Sequence, residues 1–188
     1  MNRFSQCLSA LEKVAEALGA PLAVVGGLAA IHHGAQVGTL DVDIAAPKAK
    51  LEELLAVAAG HGFELRARSP RGWHRLLFKH PDGDVEVHVV PEGEKSPRDP
   101  PHAPANPGPA ELGVTKGLGY AAFAPWFVTK LAVGRDKDRY HLVEVLKRAT
   151  PLQVSEVVTR VRQMHPSYLA EFERLVRAAE EEKGQQSW

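Results

Sequence analysis

Val24-Val25-Gly26-Gly27-Leu28-Ala29-Ala30-Ile31-His32-His33-Gly34 is followed, after a short spacer, by Thr39-Leu40-Asp41-Val42-Asp43-Ile44. The first stretch is an apolar run that ends in paired glycines and passes into small residues of helical character. The second is another apolar run, interrupted by two carboxylates one residue apart. Side chains alternate across a strand, so Asp41 and Asp43 are expected on one face and Leu40, Val42 and Ile44 on the other. Two carboxylates so close repel each other at neutral pH, and a divalent cation offsets the repulsion. A solvated strand end is the plainer alternative. The glycines let backbone N–H groups approach a ligand, and a helix start favours negative charge. A triphosphate held between amides and a carboxylate-bound metal fits this pattern.

Upstream, Phe4, Leu8, Leu11, Val14, Ala15 and Leu18 recur at helical spacing, and Gly19 ends that helix. Pro21 opens the first strand. Pro47 begins a second amphipathic helix, with Leu51, Leu54, Leu55 and Ala58 on its stripe. Residues 63–68, 73–79 and 85–90 alternate as strands, and His80-Pro81-Asp82-Gly83 predicts a hairpin turn between the last two. Arg66, Arg68, Arg71 and Arg75 form either a basic edge beside the site or a solvated strand face. Residues 91–109 are proline-rich and read as a long surface loop, with Lys95 and Arg98 as its cations. From Pro125 to the end helical spacing dominates, and Thr150-Pro151 reads as an N-cap followed by proline at the first helical position.

Zero formal net charge over 188 residues implies no global attraction to nucleic acid, so any such contact must be local. The single Cys7 excludes an internal disulfide framework and suits a reducing compartment. No apolar run approaches the roughly 20 residues of a membrane span, and the N-terminus lacks a signal-peptide core. The expectation is a soluble, cytoplasmic protein with no membrane partner.

The strand Asp84-Val85-Glu86-Val87-His88 places Asp84, Glu86 and His88 on one face. His88 reads either as a site contact or as a satisfied core histidine. Lys130 lies among Trp126, Phe127, Leu131 and Val133, where a buried charge needs an anion unless it snorkels to water. Asp136 and Asp138 also fit as acids favoured at a helix start. Adjacent His32 and His33 make a poor zinc pair, and no serine sits in a nucleophile elbow.

The order Gly-Gly, spacer, Thr-x-Asp-x-Asp resembles the nucleotidyltransferase fold of the polymerase-beta-like superfamily. Lys130-Leu-Ala-Val-Gly-Arg-Asp-Lys-Asp-Arg-Tyr-His-Leu142 is similar to the lysine-then-aspartate motif of AbiEii-type and MenA-type toxins, a branch of that superfamily. The matched motifs span roughly residues 22–146, with 91–124 unmatched. The resemblance implies an α+β fold with a nucleotidyltransferase-type mixed sheet flanked by helices and a C-terminal helical region. It places the core at 1–112, with the proline-rich loop at 91–109, and the helical region at 113–188. It implies catalytic residues Asp41, Asp43, Glu86, Lys130 and Asp138, with Asp41, Asp43 and Glu86 holding two Mg2+ ions. Gly26, Gly27, Thr39 and Lys130 would contact the NTP. The implied activity moves an NMP onto an acceptor hydroxyl, with RNA (the 3′ end of a tRNA) as acceptor and a cognate antitoxin protein as partner. AMPylation of a protein hydroxyl, or a catalytically silent binding module, are the alternatives. Three positions depart from the pattern: Glu86 replaces the usual third aspartate, Val37 stands where an arginine is common, and His141 where an acid is frequent.

Overall fold

Alternation in 41–46 and 85–91 builds the centre of a mixed sheet. The computed structural model describes residues 2–96 and 99–185; Arg98, one of the loop cations, lies outside them. Strands β1 (Leu22–Val24), β2 (Asp41–Ala46), β3 (Phe63–Ala67), β4 (Arg75–Phe78), β5 (Val85–Pro91) and β6 (Leu118–Tyr120) form one sheet in the order β3-β4-β5-β2-β1-β6. β2 runs parallel to β5 and β1 parallel to β6, while the other neighbours are antiparallel. The fold is α+β, as expected.

Two helices cover one face of this sheet. Helix α1 (Arg3–Leu18) starts at Asn2, whose side chain accepts from Ser5 N at 2.9 Å, and ends at Gly19 with φ +63°. Helix α3 (Leu51–Ala59) follows a 3-10 turn, Lys48–Lys50. Leu11, Val14, Leu18, Leu51, Leu54 and Ala58 from these helices share one buried cluster with Val42, Ile44, Leu76, Val87 and Val89 from the strands. Burial on that face fixes the register, because a slip by one residue would turn the apolar set to the other side. Asp41, Asp43, Glu86 and His88 are therefore turned away from α1 and α3.

Three expectations are corrected, and one strand was not anticipated. Leu40 does not join the core face; β2 begins at Asp41, and Leu40 is 83% exposed. β4 begins at Arg75 rather than at residue 73, although Val89 N still donates to His74 O at 2.9 Å. β3 stops at Ala67, after a register shift between Leu65 and Ala67. β6, three residues with a glycine at its centre, carries no alternation to betray it; it forms because β1 offers an edge, with Leu22 N accepted by Gly117 O at 2.9 Å.

The ends of the proline-rich loop are stitched together, Gly93 N to Asn106 O at 2.9 Å and Asn106 N to Glu94 O at 2.8 Å. The chain divides into two compact units, Met1–Ala29 with Gly38–Glu94 and Ala105–Ala121, and Ala30–Val37 with Lys95–Pro104 and Ala122–Trp188. The whole sheet lies in the first.

The second unit is helical: α4 (Phe123–Val133), α5 (Asp136–Leu146), α6 (Pro151–Val161) and α7 (Ser167–Gln185). Thr150 and Gln153 close a capping box at the start of α6, as the Thr-Pro signal anticipates. Phe127 and Phe172 meet edge to face at 5.7 Å between α4 and α7. No helix among the described residues is long and apolar enough to cross a membrane.

Candidate metal centre

β2 and β5 place the site through their register. Asp41 is paired with Glu86 and Asp43 with His88, and on the other side of β5 Arg75 is paired with His88. The pleat sends all five side chains to the face opposite the α1–α3 core, where Arg75 is exposed and the other four are half-buried. The site therefore stands on the central strands of the sheet.

Within this array three donor atoms converge. One ligand atom each from Asp41, Asp43 and His88 all lie within 4.8 Å of one another. His88 Nδ1 is 3.2 Å from Asp43 Oδ1 and 3.5 Å from Asp41 Oδ2. Two donors about 2.1 Å from a common ion, at tetrahedral or octahedral angles, stand about 3.0–3.4 Å apart. The His88–Asp43 separation has that value and the His88–Asp41 separation is 0.1 Å beyond it, so the residues present fit a divalent cation after small side-chain adjustment. The hydrogen bond to Asp43 holds the His88 imidazolium above its ordinary pKa, against the opposing effect of burial, and the Asp41 and Glu86 charges act in the same direction.

Glu86 stands on the expected face, but its carboxylate is directed elsewhere. Oε1 accepts from Arg75 Nη1 at 3.1 Å and lies 3.4 Å from His88 Nε2, the ring nitrogen remote from the aspartates. Asp84, expected on the same face, lies just before β5 and is committed to Lys79 at 2.8 Å and to His80 N at 3.2 Å. Of the two readings open for His88, the core one is excluded: its ring lies partly exposed among three carboxylates. The alternation of β5 had already placed it on this face.

The paired glycines have a structural task that the sequence does not show. Gly26 adopts φ +63°, and a Cβ built there would lie 1.7 Å from Asp43 Oδ2. At Gly27 a Cβ would lie 2.7 Å from Thr39 Oγ1. The turn that opens helix α2 (Gly26–His32) therefore presses directly on the side chains of the site, and only glycine leaves Asp43 its place. Thr39 Oγ1 donates to Asp41 Oδ1 at 2.7 Å, orienting that carboxylate.

Lys130 and Asp138 lie in the helical unit and close on each other. Lys130 is 8% exposed and Asp138 1%. Lys130 Nζ donates to Asp138 Oδ1 at 2.6 Å, and Arg135 Nε donates to Asp138 Oδ2 at 2.7 Å. Burial pushes the Asp138 carboxyl up, but the Lys130 and Arg135 charges outweigh it and hold the group below the usual carboxylate range. The anion that a buried Lys130 requires is thus the acid expected beside it. His141, one turn further along α5, is 2% exposed and its Nδ1 has no hydrogen-bond partner among the described residues. Burial first, and then the Lys130 charge, depress its pKa to about 4.

No protein-family profile and no curated protein sequence matches the chain. Among solved structures it aligns with ANT(2″)-Ia in complex with adenylyl-2″-tobramycin, at 13% identity and TM-score 0.45, over 96% of this chain and 99% of that one. A solution structure of the antibiotic-resistance factor ANT(2″)-Ia aligns at 14% identity and TM-score 0.44, over 99% and 96%. An antigenic nucleotidyltransferase-like protein from Paracoccidioides brasiliensis aligns at 14% identity and TM-score 0.43, over 90% and 93%. At such values the chemistry has to be read from this chain's own residues.

Proposed function

We propose that this protein is a nucleotidyltransferase that moves a nucleoside monophosphate from an NTP to an acceptor hydroxyl with the help of a divalent cation. The observation that carries this reading is the pair Asp41 and Asp43 on a central strand, with a third donor supplied from β5 and a side-chain-free turn closed against them. Asp41 and Asp43 would hold the cation. When bound, the ion supplies charge neutralisation for the triphosphate and polarises the reacting oxygens.

The remaining tasks fall to the chain. Thr39 Oγ1 holds the Asp41 carboxylate by donating to its Oδ1 at 2.7 Å. Gly26 and Gly27 keep the approach to the carboxylates open, and the triphosphate lies along them. In the transfer, a bond forms from the acceptor oxygen to the α-phosphorus as the bond to pyrophosphate breaks, and the hydroxyl proton passes to solvent. Such transfers need positioning and charge neutralisation more than a protein nucleophile, consistent with a site that offers no cysteine or serine.

For the acceptor we propose an RNA 3′ hydroxyl, as in a toxin of a toxin–antitoxin pair; the support is the resemblance of residues 130–142 to the toxin motif. The test is incubation with each α-labelled NTP, a divalent cation and total cellular RNA beside total protein. Labelled RNA, lost in Asp43→Asn, upholds the proposal. Labelled protein moves the acceptor to AMPylation. No label on either with any NTP overturns the enzymatic reading.

A further inference from the structure

We infer that the third metal ligand is His88, through Nδ1, that Glu86 acts behind it, and that the site consequently selects Mn2+ over Mg2+. The inference rests on the proposed metal site at Asp41 and Asp43. It begins with which atoms converge: His88 Nδ1 lies within 3.5 Å of an oxygen of each aspartate, and Glu86 is absent from the group of mutually close donors.

The second observation concerns the far side of the ring. A metal-bound imidazole characteristically presents its other N–H to a carboxylate, which fixes the tautomer and raises the basicity of the ligating nitrogen. Here Glu86 Oε1 is 3.4 Å from His88 Nε2, and Arg75 Nη1 holds the same oxygen at 3.1 Å. His88 Nδ1 faces Asp43 Oδ1 at 3.2 Å as a hydrogen bond; a cation bound there would take the place of the Nδ1 proton, with Nε2–H directed at Glu86. Arg75, Glu86 and His88 form a relay across β4 and β5, anchored by strand register: Arg75 opposite His88, and His88 opposite Asp43.

The third step is donor chemistry. Mg2+ is a small, hard cation that keeps oxygen ligands and waters, whereas imidazole suits transition cations. Replacing a third carboxylate by imidazole also leaves one negative charge fewer at the ion. The lost charge weakens both ions, and the nitrogen donor penalises Mg2+ more than Mn2+. The Mg2+ expected from sequence thereby gives way to Mn2+ as the preferred ion.

The test measures metal binding rather than turnover. Mn2+ and Mg2+ are titrated separately, by calorimetry, into the full-length protein and its folded variants His88→Asp, Glu86→Gln and Asp43→Asn. In His88→Asp the ratio of Mn2+ to Mg2+ affinity should fall at least about 10-fold. Glu86→Gln should keep that ratio while Mn2+ affinity falls about 10- to 100-fold, the usual cost of losing a carboxylate behind a ligand. On protein with 15N-labelled histidine, Zn2+ should move the Nδ1 resonance of His88, and Glu86→Gln should retain that shift. An unchanged affinity ratio in His88→Asp, or an unmoved His88 resonance on saturation, overturns the inference while leaving the metal site standing. Failure of the unsubstituted protein to bind Mn2+, or unchanged Mn2+ affinity in Asp43→Asn, overturns the metal site itself.

Discussion

Asp43 and His88 meet twice: their Cα positions are partners in the parallel β2–β5 ladder, and Nδ1 of the histidine lies 3.2 Å from Oδ1 of the aspartate. Because backbone pairing sets the side-chain distance, the contact belongs to the sheet and not to a loop. Asp41 and Glu86 are partners in the same ladder, two residues earlier on each strand. The sheet thus lays out the charged groups of the site in two adjacent rows.

Gly26→Ala should separate conformational strain from side-chain overlap when compared with Gly19→Ala. Both glycines have φ +63°, but a Cβ at Gly19 meets nothing within 4 Å, whereas at Gly26 it overlaps Asp43. Left-handed backbone at a residue with a side chain costs roughly 1–2 kcal/mol. Urea unfolding should show that loss in both variants. Only Gly26→Ala should also weaken Mn2+ binding, and equal metal affinity in the two would refute the assigned contact.

Asp43→Asn should abolish nucleotide transfer with the fold retained, whereas Asp84→Asn should leave transfer within about twofold. Asp84 directly precedes β5 and is tied to Lys79 and His80 N at the hairpin. Turnover of NTP by the two purified variants checks this. If Asp84→Asn is the inactive one, the assumed role of strand position is wrong.

Asp138→Ala should destabilise the protein more than Lys130→Met does. Removing Asp138 strands Lys130 in a buried site, and breaking a buried pair from one side costs about 3–5 kcal/mol. Removing Lys130 leaves Asp138 with Arg135 at 2.7 Å, and methionine keeps the apolar stem. Denaturant midpoints rank the two. NTP affinity in Lys130→Met should be unchanged if the lysine serves only this pair; a drop of about 10- to 150-fold would assign it a phosphate contact.

His141 should make the protein acid-sensitive. Its pKa in the folded state is about 4, below the ordinary 6.5, so the unfolded chain takes up a proton as pH falls through 6.5 and the folded chain does not until about 4. Stability attributable to this group is therefore intact above pH 6.5 and lost progressively down to pH 4, by up to about 3 kcal/mol. His141→Leu should flatten that part of the profile. Urea midpoints at pH 7 and pH 4.5 decide it, and an equal drop in both proteins would refute the role.

The local elements were legible because they are written in short periods. The spacing of Leu11, Val14 and Leu18, the Asp82-Gly83 turn and the Thr150-Pro151 cap each name an element without reference to the rest of the chain. The faces of β2 and β5 were legible for the same reason, so Asp41, Asp43, Glu86 and His88 were placed on their strands correctly. β6 escaped because three residues around Gly119 have no period; its strand conformation comes from pairing with β1.

Sequence by itself determined which residues alternate and where helices begin, and it left Lys130 either paired with an anion or snorkelling to water. Tertiary structure paired Lys130 with Asp138 and decided which donor turns toward the aspartates. Glu86 and His88 share one strand face and are indistinguishable by alternation; Arg75, brought alongside from β4, draws Glu86 aside and leaves His88 Nδ1 with Asp41 and Asp43. The paired glycines show the same division. A sequence reveals a turn free of side chains, but only the packed chain reveals that Asp43 occupies the space a Cβ at Gly26 would need. Alternation and capping act over a few residues, whereas contacts among β2, β4, β5 and the Gly26 turn exist only once separate segments are brought together.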